Sequence, residues 1–454
     1  MHGTLPHPLL TARTLPTVLR IAGPTTAVMV MQSGVTIAEL FFVGRLGTSA
    51  LAGFQLVFPF VMLMTMMAAG GIGGGIASAV ARALGAGDRA RAASLAVHAL
   101  LIAAGFALLW TAAMSLAGPA IYRAFGASGE TLRFALAYST TLFAGAVAPW
   151  AMFALSSILR GTGDAVTPGK FMLLGSLLQV PLSAVLVLGT APWGLGSWTG
   201  IGIEGAAISM IATSLLSAAL MAWRLWSGRT GFTPSLAGQG LAASAWAPIL
   251  KIGLISSMSA LLANTTTMLV NFAIKPFGDA AIAGYGIGAR LEFILVPLSF
   301  GIGAALTTLV GIAAGAGQWD RARHVAWTGG LMAAALTGTL GIVVALFPGA
   351  WAGLFSSDPA VLQAATQYLT RAAPFYAFFG LGMSLNFAAQ GASRMKVPFI
   401  ASLLRTLVAG VGGYLLVTVW HGSLPDLFWL VGLAILLYGT LIGGALALRP
   451  WRAR

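Results

Sequence analysis

Glu39 sits in a long apolar run, GPTTAVMVMQSGVTIAELFFVG, where almost no charge is tolerated. An ionisable residue inside a membrane span costs on the order of 2.5 kcal/mol or more, so it marks a functional site by default. Gln32 and Thr36 lie seven and three residues before it and share one helical face with it. Burial favours the neutral form of a carboxyl group, and a nearby cation favours the ionised form. A carboxylate that can take either state can bind a proton and a cation in turn. Pro24, further down the same run, is expected to weaken or bend the helix.

Other candidates are weaker. Arg290 and Glu292 are two apart, so they do not face each other on a helix. Each needs another partner; Arg371 and Arg405 are candidates for Glu292, and a structural ion-pair network is the plain alternative to coupling. Asn264, Thr267 and Asn271 follow an i, i+3, i+7 pattern, which gives one polar face that could line a cavity or bond neighbouring helices. Met62, Met64, Met66 and Met67 could form an adaptable apolar wall, with Met62 and Met66 as lining candidates, although a methionine run is more often ordinary packing. Tyr138 is a further candidate for such a lining.

The elements that carry these residues follow from composition. Only 7% of the 454 residues are charged and 58% are hydrophobic; soluble domains carry roughly 25% charged residues. Charge-free stretches at 46–81, 92–122, 171–203, 293–319 and 324–357 each exceed the roughly 20 residues that cross a bilayer as a helix. Helices are predicted near 17–43, 50–81, 93–117, 131–157, 166–189, 201–225, 247–275, 281–313, 325–347, 361–388, 397–419 and 427–448. Of the 24 Lys and Arg residues, Arg45, Arg123, Arg133 and Lys275 fall opposite the termini, and Arg290, Arg371 and Arg405 fall within spans. The rest lie on the side of the termini. The positive-inside rule then predicts a multi-pass protein of a bacterial inner membrane, with both termini cytoplasmic. No removable signal peptide is read before the first span.

The net charge of +14 does not indicate a nucleic-acid partner, because the basic residues are spread over short loops. There is no cysteine. His98, His324 and His421 have no metal-ligand spacing, and no metal or cofactor is expected. The glycine runs GIGGG (71–75) and GYGIG (284–288) lack the strand–turn–helix context of a nucleotide loop and suit close helix packing. HExxH, GxSxG and paired carboxylates are missing, which argues against a membrane enzyme.

The halves repeat at an offset of about 231 residues. GTSALAGF (47–54) answers GDAAIAGY (278–285), GAGDRARA (85–92) answers GAGQWDRARH (315–324), and RGTGDAVTP (160–168) answers QGASRMKVP (390–398). Six spans per half return the chain to its starting side. The prediction is an all-α polytopic membrane protein of 12 transmembrane helices, in two pseudo-symmetric six-helix lobes with a central cleft. The lobes are predicted at 1–226 and 246–454, joined by a cytoplasmic linker at 227–245. Two such lobes make a complete pathway, so a monomer is expected.

FVGRLGTSALAG (42–53), AGYGIGARLEF (283–293), the paired Gly-Ala-Gly turns and LRGTGDAVTP (159–168) resemble the multidrug and toxic compound extrusion (MATE) transporters over nearly the whole chain. The resemblance implies a secondary active exporter of amphipathic or cationic drugs, driven by proton or sodium entry through alternating access. With no carboxylate in the seventh or tenth span, the chain looks closer to the DNA-damage-inducible branch. Gln32 and Glu39 with Pro24 resemble the first helix of proton-coupled members, where the acid is commonly aspartate. Such members often place Asn and Asp four apart in the fifth helix. Here Gln179 and Ser183 stand four apart in QVPLS, with Pro181 between them. Gln179 could bond Glu39, Ser183 could replace one hydrogen bond, and Pro181 could break the helix and free carbonyls. A lipid-linked saccharide flippase of related architecture is the alternative, with Arg290, Arg371 and Arg405 as its cavity bases.

Overall fold

Each half of the chain opens its second helix at a glycine with positive φ, Gly47 at 116° and Gly278 at 88°. Any other residue would be strained at these two positions. The shared backbone device places the two repeat motifs in the same local structure. The turns after the second helices also match, with Gly87 at φ 78° and Gly317 at φ 73°.

The computed structural model describes residues 8–190, 197–235, 243–448 and 451–452, without the side chains of residues 243, 244, 292 and 293. Among the described residues, every regular element is helical. The long apolar helices are α1 (Thr14–Gly44), α2 (Thr48–Gly85), α3 (Arg89–Ala124), a bent α4 (Gly129–Ala144 and Val147–Gly161), α5 (Val166–Leu188) and α6 (Glu204–Trp226). They continue with α7 (Ala245–Phe277), α8 (Asp279–Gly315), α9 (Trp319–Leu346), α10 (Pro359–Gly391), α11 (Lys396–Thr418) and α12 (Leu424–Leu448). Eleven are long and apolar enough to cross a membrane by themselves, and the bent α4 makes twelve. This is the predicted all-α polytopic architecture. Part of the predicted linker, residues 236–242, lies outside the described residues.

Several spans are irregular in ways that hydropathy does not reveal. α4 bends by 47° where Gly145 and Ala146 separate its halves. α2 carries a π-helical stretch at Met67–Ile72, and α11 carries one at Thr406–Gly412. α10 tightens to a 3-10 turn at Ala373–Phe375, where Pro374 cannot donate a backbone bond. α8 is interrupted at Arg290 and Leu291. Pro181 does not break α5, contrary to the expectation from sequence. The helix runs through from Val166 to Leu188 with Pro181 on its exposed face. A single proline removes one backbone bond, and the rest of the ladder holds the segment.

The chain divides into two compact units. One comprises Met1–Thr26, Gly85–Gly87 and Leu254–Arg454; the other comprises Ala27–Leu84 and Asp88–Gly253. The division falls inside α1 and α7 rather than at the predicted linker. Close packing explains it. In the first unit, Gly301 lets α8 approach Thr26 and the Ala22 carbonyl of α1, and Gly85 lies against the Ile312 carbonyl of α8. In the second, a Cβ at Gly75 would come within 2.5 Å of the Ile249 carbonyl, and one at Gly253 would lie 2.8 Å from Ile72. Small residues on α2 and α7 thus bind the start of α7 to the helices of the first half.

Candidate functional site

Helix α1 places Glu39 on its buried side, with 6% of its surface exposed. Gln179 of α5 donates Nε2–H to Glu39 Oε1 at 2.9 Å, across 140 positions of chain. Thr213 of α6 stands on the far side of the amide, its Oγ1 3.5 Å from Gln179 Oε1 and 2.8 Å from the Ser209 carbonyl. A carboxyl–amide–hydroxyl chain therefore links three helices. The amide N–H donor favours the ionised carboxylate, whereas burial favours the neutral acid. The two preferences oppose each other at a single group.

The remaining first-helix candidates are close in sequence but bonded differently. Thr36 donates its hydroxyl to the Gln32 carbonyl at 3.1 Å, and both side chains are half-buried. Ser183, one turn beyond Gln179, is fully buried, and its Oγ finds no hydrogen-bond partner among the described residues. It does not supply the substitute hydrogen bond expected of it. A short hydroxyl facing a packed wall has too little reach, while the longer Gln179 amide spans the gap to α1. Pro24 lies inside a continuous α1, two residues before the boundary between the compact units.

Thr213 was not singled out in the sequence. Its signal was available, because Ser209, Thr213 and Ser217 recur every four residues on α6 and are all buried. A buried hydroxyl stripe on an apolar helix faces a neighbouring helix. Ser217 donates to the Phe171 carbonyl of α5 at 3.2 Å, so this stripe also ties α6 to the helix that bears Gln179.

The proposed lining residues scatter. Tyr138 is 2% exposed and packs against the Phe54 ring at 4.8 Å, which is a core position rather than a lining one. Met62 and Met66 are half-buried, and Met64 between them is core. Asn264 and Asn271 are exposed on α7, and Thr267 is half-buried between them. The amide of Asn264 donates to the Ala260 carbonyl at 3.1 Å and that of Asn271 to the Thr267 carbonyl at 2.9 Å. Arg290 is exposed at the interruption of α8, 4.8 Å from the Phe355 ring centroid. The side chain of Glu292, the other acidic candidate for ion coupling, lies outside the described residues.

The other unit offers a neutral counterpart to the α1–α5 pair. Thr266 of α7 and Thr406 of α11, also 140 positions apart, share a hydroxyl–hydroxyl bond of 2.8 Å. They lie one helical turn before Val270 and Gly410, the positions that match Glu39 and Gln179 at the repeat offset. Both threonines are buried, at 4% and 6% exposure. The same pair of helices is joined in each unit, but only one pair can titrate.

The sequence profile of the MatE family matches residues 24–185 and 256–415. The Probable multidrug resistance protein NorM of Thermotoga maritima is 25% identical over 417 residues, 91% of this chain and 85% of the relative. The protein of the same name from Deinococcus radiodurans is 29% identical over 432 residues, 90% of each. A solved structure described as MATE in complex with MaD3S superposes with a TM-score of 0.88 at 24% identity, over 98% of both chains, a likeness of fold. The two segments matched by the profile are the two repeats, each running from the helix of one polar pair to the helix of its partner, and on that match the chain belongs to the MatE family.

Proposed function

We propose that this chain is a secondary active exporter of amphipathic, cationic compounds, driven by proton entry through an alternating-access cycle. The observation that carries the reading is the buried Glu39 carboxyl held by Gln179 at 2.9 Å in the first span. The relatives named multidrug resistance protein NorM support the export of drugs, as does a Staphylococcus saprophyticus relative named Multidrug export protein MepA. None of these names favours the flippase alternative. The chain is a multi-pass membrane transporter and not an enzyme.

The mechanism follows from the two opposed preferences at Glu39. With the proton on, the group is neutral and has no attraction for a cation. With the proton off, Gln179 steadies the carboxylate, and a cationic substrate gains a charge to pair with. Proton and substrate thus compete for one group, which couples the entry of one to the exit of the other. Sodium could occupy a carboxylate as well, but a site with one acid and an amide donor suits a proton better than a cation that needs several oxygen ligands. We read the protein as a monomer of the bacterial cytoplasmic membrane with both termini inside. The absence of carboxylates from α7 and α10 supports the DNA-damage-inducible branch.

The test is efflux of a fluorescent organic cation from proteoliposomes, with a pH gradient and a sodium gradient imposed separately. The reading expects the pH gradient alone to drive the wild type and to fail with Glu39→Gln. Normal ion-driven efflux by Glu39→Gln would move the coupling site elsewhere, with Glu292 the next residue to change.

A further inference from the structure

Arg405 is a charge of the opposite sign within a membrane span. It lies near the middle of α11, half-buried, just before the π-helical stretch that begins at Thr406. Its guanidinium carbon lies 5.6 Å from the Phe379 ring centroid and 5.7 Å from that of Tyr438. Both rings are buried, and they come from α10 and α12. Asn386 of α10 and Ser402 of α11 stand beside the Tyr438 phenol. The ion pairs among the described residues are Arg133–Glu130, Arg224–Asp164 and Arg323–Asp320, and none of them involves Arg405.

Aromatic faces attract a cation but carry no net charge. The guanidinium presents a planar fork of N–H donors inside a membrane span. That fork fits a carboxylate or phosphate in two parallel hydrogen bonds. Intramembrane arginines are costly, and where they persist they mark substrate or ion pathways. The two aromatic rings also give an apolar surface for the body of an amphiphile, and the Tyr438 hydroxyl and the Ser402 hydroxyl add polar contacts beside it.

We propose that Arg405, with Tyr438 as its positioning residue, is a recognition site for an anionic group, a carboxylate, sulfonate or phosphate, on transported amphiphiles. This rests on the export reading and extends its substrate class from cations to compounds that also bear an anion. The unit that holds Glu39 favours positive groups, and the unit that holds Arg405 favours negative ones.

The test uses two rhodamine dyes that differ only in a free carboxylate against its ethyl ester. Binding to purified full-length protein is read by fluorescence anisotropy. Arg405→Gln should weaken the carboxylate dye about ten- to hundredfold and leave the ester within about twofold. Arg405→Lys keeps the charge and loses the fork, so it should recover part of the preference. Equal loss for both dyes, or no loss for the carboxylate dye, would overturn the proposal. If Arg405→Gln does not fold, folded Arg405→Lys decides: carboxylate binding intermediate between wild type and no binding supports the site, and unchanged binding contradicts it. Wild type that binds and exports the ester but not the carboxylate dye removes this site and leaves the export reading intact. Wild type that binds neither dye removes both.

Discussion

Gln179 and Glu39 bond at 2.9 Å between α5 and α1, and the matching helices of the other unit are joined by two threonines that cannot ionise. The repeat joins the same pair of helices by a polar contact in each unit, one turn apart in register and different in charge. Of these two contacts, only the one between α5 and α1 includes a group that can ionise.

Removing the amide while keeping the acid separates positioning from coupling. In Gln179→Leu, Glu39 loses the donor that steadies its charged form and is left more costly to ionise. Hydrogen bonds to charged groups contribute about 1.5–3 kcal/mol, or about one to two pH units. Glu39 should hold its proton more tightly, so the pH at which substrate binding half-develops should move upward by that amount. A pH titration of cation binding checks it; an unchanged midpoint would show that the contact is structural only.

The neutral pair should behave differently. Thr406→Val removes the Thr266 contact, worth about 1 kcal/mol. Thermal unfolding should fall by about one degree while the dependence of efflux on the pH gradient stays as in the wild type. A change in ion dependence would place coupling in both units.

Gly85 and Gly105 test close packing. A side chain at Gly85 would run into the Ile312 carbonyl, whereas Gly105 has open space. Gly85→Ala should cost about 1–3 kcal/mol by overpacking, and Gly105→Ala should be neutral or stabilising by up to about 1 kcal/mol because alanine is the better helix former. Denaturation in detergent reads both.

The absence of cysteine makes topology directly measurable. Single cysteines at Ser227 and Thr162 should react with an impermeant maleimide only from the cytoplasmic side. Those at Ser128 and Ser356 should react only from outside. The reverse pattern would invert the assignment of both termini.

Much of this was legible in the sequence, for physical reasons. Long charge-free runs gave the spans, because every backbone group in a bilayer must be bonded within a helix. Glu39 stood out because charge there is costly, and the length of Gln179 made its reach to α1 foreseeable. What stayed hidden depends on backbone geometry and on neighbours. The π-helical turns at Met67–Ile72 and Thr406–Gly412 leave hydropathy unchanged. The sharing of α1 and α7 between the compact units depends on approaches at Gly301 and Gly75 that no local pattern records. Tyr138 looked like a lining residue, and only its packing on Phe54 shows it as core. Arg405 was noted as a charge within a span, but its place between Phe379 and Tyr438 required three helices to be assembled.

The most direct measurement is the proton count on substrate binding. Purified wild-type protein in weakly buffered solution is mixed with a saturating organic cation, and the pH change is recorded. Competition at Glu39 predicts release of about one proton per substrate at a pH where the group is protonated, and none from Glu39→Gln. Equal release from both proteins, or none from the wild type across the pH range, would contradict it.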